Sequence, residues 1–235
     1  MAPRKGIAAA LDELERLYGR PRKPVPKTPL EWILWENVAY LVDDERRELA
    51  FRALGKKAGW TADRIAKASR PALLEATRLG GMHPEQRVER LKDVAELALA
   101  EGSADLSHLR RMPPAQARKV LKKFPGIGDP GADKILLFCG FENVLALDSN
   151  ALRAAVRLGY GEEAKSYAST YRSALAALAP GLGRDPAVLR RASQLLRIHG
   201  QGLCKRNAPD CDDCPLSSRC RYYAREAVGS PRTRG

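Results

Sequence analysis

The chain has 235 residues, 44% of them apolar, with 41 Lys plus Arg against 28 acids and a formal net charge of +13. That length holds one large domain or two small ones, and the apolar content is enough for a real core. So basic a balance points to a polyanion, and no apolar run approaches the ~20 residues that span a bilayer, which favours nucleic acid over a membrane.

In chain order, residues 1–18 form a helical pattern with Ile7, Leu11, Leu14 and Leu17 on one face. The basic, proline-rich stretch 19–27 is an extended link. Thr28, Pro29 and Glu31 make a helix start: an N-cap, a first-turn proline and a capping-box acid. The helix that follows is predicted over residues 32–42. It carries Trp32 as buried packing, and Trp35, Asn37 and Tyr40 as groups able to stack on or hydrogen-bond a nucleobase. Further helices are predicted over 43–57, 61–68, 69–79 and 85–100, with a short turn at 106–111. His83 and His108 have no ligand-like partners at helical spacing. No strand-like alternation exceeds a few residues, so the chain reads as all-α.

Residues 113–124 are the next helix, with Ala117, Val120, Leu121 and Phe124 on one face. Pro125 and Gly126 stop it, and Gly128 frees the backbone to turn. Asp129 is placed as N-cap and Pro130 as first residue of a second helix, with Ala132, Ile135, Leu136 and Cys139 inward. The amides of residues 126–131 then lie bare at a helix N-terminus, where an anion binds. An ordinary tight helix–helix turn has the same sequence. An apolar run then ends on Asp148, which either caps the helix predicted over 149–158 or does chemistry. Helices over 162–178 and from Asp185-Pro186 to Gly200 complete the pattern, and the basic tail after Tyr223 is expected to lack fixed structure.

Cys204, Cys211, Cys214 and Cys220 are separated by six, two and five residues. Four thiols in one short run are a metal or cluster site, and either zinc or a [4Fe–4S] cluster takes four cysteines. Spacing alone leaves both open. Cys139 stands apart as a buried free thiol. No secretory signal is recognisable, which makes lasting disulfides unexpected and predicts a cytoplasmic, nucleoid-associated protein.

The FPGIG hairpin followed by LALDSNALR resembles the helix-hairpin-helix base-excision DNA glycosylases of the endonuclease III superfamily. There the pattern is L-P-G-V-G, a helix, then an apolar run ending V-D-T-x-x-x-R. The resemblance covers residues 29–220 and includes the spacing C-x6-C-x2-C-x5-C without a gap. It implies a two-lobed helical protein with an active-site cleft between the lobes. Residues 27–148 would be a six-helix barrel domain, and residues 1–26 with 149–235 a discontinuous iron–sulfur cluster domain.

The resemblance further implies a [4Fe–4S] cluster on Cys204, Cys211, Cys214 and Cys220, with His199 and Gly200 matching an H-G that precedes the first cysteine. Asp148 matches the catalytic aspartate and Arg153 the downstream arginine. Gly126, Ile127, Gly128 and Gly131, with Lys122 and Lys123, would grip the DNA backbone. Leu41 falls at the wedge that fills the hole of an extruded base, and Trp35, Asn37 and Tyr40 would line the base pocket. The lysine that forms a Schiff base in bifunctional members is Pro130 here. The expectation is a monofunctional DNA N-glycosylase, a monomer acting on double-stranded DNA with a damaged or mismatched base. A lyase using another amine, or a non-catalytic damage-binding protein with a redox cluster, are the alternatives.

Overall fold

The computed structural model describes residues 6–229. Among them there is no strand; one isolated parallel bridge joins Tyr40 and Gly81. The all-α expectation holds. No helix is long and apolar enough to cross a membrane among the described residues. The chain divides into two compact units, Lys23–Glu142, and Met1–Arg22 with Asn143–Gly235.

The first unit holds seven α-helices, α2 (Pro29–Val38), α3 (Asp44–Lys57), α4 (Ala62–Lys67), α5 (Arg70–Leu79), α6 (Pro84–Ala100), α7 (Pro114–Leu121) and α8 (Asp129–Phe138), and one 3-10 turn, Ser107–Arg111. Their starts follow local rules. Thr28 accepts the Glu31 amide at 3.2 Å, Asp43 accepts that of Arg46 at 2.8 Å, and each such cap stabilises a helix by about 1 kcal/mol. The core is α2, α3, α5 and α6, with Leu34, Phe51, Leu54, Leu73 and Leu91 fully buried. Each of these side chains contributes about 1.5–3 kcal/mol through burial. Trp32 is buried against Phe138, ring centroids 5.1 Å apart.

Helix α2 stops at Val38, four residues short of the sequence expectation. The cause is long-range. Arg47, from α3, donates to the carbonyls of Trp35 and Ala39, and the Tyr40 amide donates to Gly80 instead of continuing the helix.

The second unit packs α1 (Ile7–Tyr18), α9 (Ser149–Leu158), α10 (Tyr167–Leu182), α11 (Pro186–Gln201) and α12 (Arg221–Gly229). Residues 1–5, included in the predicted first helix, lie outside the described residues. Helix α10 begins at Tyr167, later than expected, because the amides of Glu162 and Ala164 are taken by the Ser173 and Thr170 hydroxyls at 2.9 Å each. The tail expected to lack structure is helical through Gly229, and its last residues, 230–235, lie outside the described ones.

Helices α9 and α11 approach closely at Gly200. A Cβ there would stand 2.3 Å from the Asn150 carbonyl oxygen, a backbone atom that cannot yield. Gly200→Ala is therefore expected to destabilise the protein by about 1–3 kcal/mol or more, read as a lower thermal midpoint. A midpoint equal to that of the parent would mean that the two helices are not held this closely.

Candidate functional site

Helices α7 and α8 form the glycine hairpin. Gly126 has φ +75°, the left-handed region that a side chain rarely enters, and this is where the chain reverses. Gly126 and Gly128 are exposed, whereas the Ile127 side chain is 5% exposed and plugs the hairpin into the core beneath. Not all of the amides are bare. The Ile127 amide donates to Phe124 at 3.2 Å, and Pro130 has none. Gly128, not Asp129, is the N-cap, and Asp129 is the first helical residue, pairing with Lys122 at 2.6 Å. Lys123 pairs with Glu101 at 2.7 Å. Both lysines are exposed.

Asn37 supports this hairpin from below. It is 3% exposed, and its amide nitrogen donates to Ile33 at 2.9 Å and to Pro125 at 2.8 Å. Asn37→Ala leaves the Pro125 carbonyl without that donor, at a cost of about 1–3 kcal/mol. The expected result is a thermal midpoint lower by roughly 2–10 °C, with faster hydrogen exchange around Gly126. Exchange unchanged at the hairpin would show that Asn37 does not hold it.

The three residues expected in a base pocket have different neighbours. Trp35 meets Phe51 edge-on at 5.4 Å, Asn37 holds the hairpin, and Tyr40 lies 6.4 Å from the His83 ring. Leu41 is 71% exposed and has φ +54°, a strained conformation for a leucine. Beside it runs a second loop, joined through the Tyr40–Gly81 bridge and carrying Met82, 53% exposed. Arg87, buried beneath, donates to the carbonyls of Thr77 and Gly81 and anchors this loop. Two loops thus present Tyr40, Leu41 and Met82 to solvent. Sequence reasoning missed Met82; its signal was an apolar residue after a double glycine.

In the other unit, Asp148 is the N-cap of α9. Its Oδ1 accepts from the Asn150 amide at 3.0 Å and the Ala151 amide at 2.9 Å. Its Oδ2 accepts from Arg197 Nε at 2.8 Å. The side chain keeps 21% of its surface exposed. Tyr167, half exposed, feels the same carboxylate: burial first, then the Asp148 charge, raises its hydroxyl above the ordinary tyrosine range. One Asp148 side chain thus both caps α9 and presents a second oxygen to an arginine.

Helix α9 also reaches the cysteine loop, through two arginine side chains. Arg153 donates to the Cys204 carbonyl at 3.0 Å and the Gly200 carbonyl at 2.6 Å. Arg157, one turn on, donates to Lys205 at 2.7 Å and reaches Cys204 Sγ at 3.5 Å, with Tyr222 stacked 4.4 Å beneath its guanidinium. Arg157 and Arg197 were not picked out from sequence, although the Arg153–Arg157 spacing of one helical turn was a signal.

Cys204, Cys211, Cys214 and Cys220 line one small recess, with Ala154, Leu158 and Leu203 among its apolar walls. Among the described residues, no three metal-ligating side chains converge tightly enough for a single ion. Burial, ahead of the neighbouring thiols, pushes the Cys214 thiol up to about 11, and raises Cys211 and Cys220 as well. Thiols in such a place become thiolates only with cations among them. Four soft donors, a mostly apolar wall and an arginine on one sulfur fit a [4Fe–4S] cluster. His199 sits at the edge, 3.7 Å from Cys214 Sγ and 3.1 Å from the Tyr18 hydroxyl. Burial pushes it down to about 4, so its imidazole is neutral. Cys139 is elsewhere, at the end of α8, its thiol pushed up to about 12 by burial.

No protein-family model matches the chain. It is 28% identical to the endonuclease III of Sulfolobus acidocaldarius over 184 residues, 77% of this chain and 76% of that one. To the endonuclease III of Thermotoga maritima it is 26% identical over 215 residues, 91% and 92% of the two chains. Among solved structures, endonuclease III trapped as a covalent intermediate with DNA superposes with a TM-score of 0.73 at 18% identity, covering 96% of this chain and 99% of that one. Along nearly its whole length, then, this chain has the all-helical fold of the endonuclease III-like glycosylases.

Proposed function

We propose that this chain is a DNA N-glycosylase of the endonuclease III type, which turns a damaged or mismatched base out of duplex DNA and hydrolyses its N-glycosidic bond. The observation that carries this reading is the likeness to two endonucleases III over three quarters of the chain or more, with the glycine hairpin and Asp148 at the positions of the family pattern.

The roles follow from chemistry. A phosphate sits on the exposed amides around Gly126, Gly128 and Gly131, with the Lys122 and Lys123 amines beside it. Leu41, flanked by Tyr40 and Met82, enters the stack where the base has left; an apolar side chain fills that hole without needing partners. Trp35 and Tyr40 offer rings on which a flipped base can stack. As the base departs the sugar becomes oxocarbenium-like, and the Asp148 carboxylate stabilises that charge and orients the attacking water. Proline at position 130 offers no amine, so water is the nucleophile and the phosphodiester survives. Alkylated or deaminated bases are the substrates this reading favours: an alkylated purine is cationic while still attached and departs as a neutral base, with no acid needed to protonate it.

Residues 27–148 form the hairpin-bearing barrel domain in this reading, and residues 1–26 with 149–235 the cluster domain. Cys204, Cys211, Cys214 and Cys220 hold a [4Fe–4S] cluster. When bound, it crosslinks four points of the loop and supplies a one-electron couple. The chain acts as a monomer.

The test is a panel of duplexes, each with one lesion, scored for free base and for strand breaks before and after alkali. The reading expects free base from at least one lesion, with breaks only after alkali. Free base from none would end it. Breaks without alkali, with a borohydride-trapped adduct, would replace hydrolysis by a lyase using another amine.

A further inference from the structure

We propose that Arg197 is a positioning residue for the Asp148 carboxylate. This deepens the reading above and rests on Asp148 being the catalytic group.

Asp148 is held by two independent structures. The first turn of α9 fixes Oδ1 through the amides of Asn150 and Ala151. A cap of this kind leaves the carboxylate one remaining freedom, rotation about the axis of the capped oxygen. Arg197 removes it. Its Nε donates to Oδ2 at 2.8 Å from near the C-terminal end of α11, a helix packed along α9. The contact is closed at both ends, with side chains 24% and 21% exposed, so neither group is loose on the surface. The plane of the carboxylate is thereby set by two helices, not one. One acceptor site on Oδ2 is left over, and its direction is fixed.

An ordinary cap has no need of this. Asp43 and Asp185 cap α3 and α11 through the amides of Arg46 and Ala187. Asp148 is a cap whose second oxygen is engaged by an arginine 49 positions away. Its charge is also felt by Arg153, on α9, and Tyr167, on α10. Arg153 is bonded to Asn150, Gly200 and Cys204, whereas Arg197 touches the carboxylate directly. Positioning matters to rate because a displacement of about 1 Å in a reacting group costs about 10²-fold.

The experiment uses the full chain and a lesion duplex from which it releases base. Single-turnover release, DNA affinity and thermal midpoint are measured for R197Q, R197K and D148N. R197Q is expected to release base about 10²-fold more slowly at unchanged DNA affinity. R197K is expected to recover most of the rate, since its ammonium reaches the same oxygen. A purely structural clamp would lower the midpoint and leave the rate alone well below it. The proposal is overturned if R197Q matches the parent rate, if R197K is no faster than R197Q, or if the whole loss is weaker DNA binding. Failure of the Asp148 reading is separate: it appears as full activity in D148N, whatever the Arg197 variants do.

Discussion

Asp148→Asn is expected to slow base release by about 10²–10⁴-fold while leaving the fold in place. Asparagine caps a helix about as well as aspartate, so its oxygen still accepts the Asn150 and Ala151 amides. What is lost is the negative charge. In the proposed mechanism that charge has two partners, Arg197 in the resting protein and the cationic sugar in the transition state. The first loss is small. The Arg197 pair is part-exposed, and losing it costs about 1 kcal/mol, or roughly 2–4 °C in thermal midpoint for a chain of this size. The second loss falls wholly on rate. The substitution therefore separates the two meanings of Asp148. A cap alone predicts small changes in both measurements; a catalytic carboxylate predicts a large change in one. Single-turnover release, measured beside a melting curve, decides it. Full-rate release by the variant would remove Asp148 from the chemistry.

The second large effect is expected at the cysteines. Cys214→Ser should leave the purified protein without its iron, falling from about four atoms per chain toward none, and without the visible absorbance of a cluster. Serine presents a hard oxygen in place of a soft sulfur, and the remaining three ligands cannot complete the set. Cys214 is also where the loop meets the His199 ring and, through it, Tyr18 on α1. Loss of a site that ties α1, α9 and α11 to the 204–220 loop should cost about 4 kcal/mol or more, lowering the midpoint by on the order of 10 °C. Iron analysis and melting curves on protein purified without air measure both. Zinc in place of iron in the parent protein would overturn the cluster assignment, and an unchanged midpoint in the variant would deny the loop its structural weight.

Much of the helical framework was legible because its causes are local. A cap acts within three residues, a proline sets its own φ, and apolar spacing reports a face within one element. Thr28 with Pro29, Ser69 before α5, and Asp185 with Pro186 stand where those rules place them. Local rules failed where a distant group intervened. Helix α2 ends early because an arginine from α3 takes its last carbonyls, and nothing in residues 32–42 announces that. Asn37 looked like a group for reading a base, but its amide is held by the hairpin, 88 positions away. The Ile127 amide, counted with the hairpin donors, is taken by Phe124 once the turn tightens.

The sequence by itself determined an all-helical chain, the glycine hairpin, a lone aspartate at a helix start and four thiols in one short run. Each is a matter of residue type and spacing, which the chain carries before it folds. Tertiary structure alone decided that Leu41 stands out into solvent in a left-handed conformation, that the four thiols line one recess, and that Arg197 closes on Asp148. Those outcomes depend on which helix lies beside which. Helix packing is a sum over many weak apolar contacts that no single motif encodes.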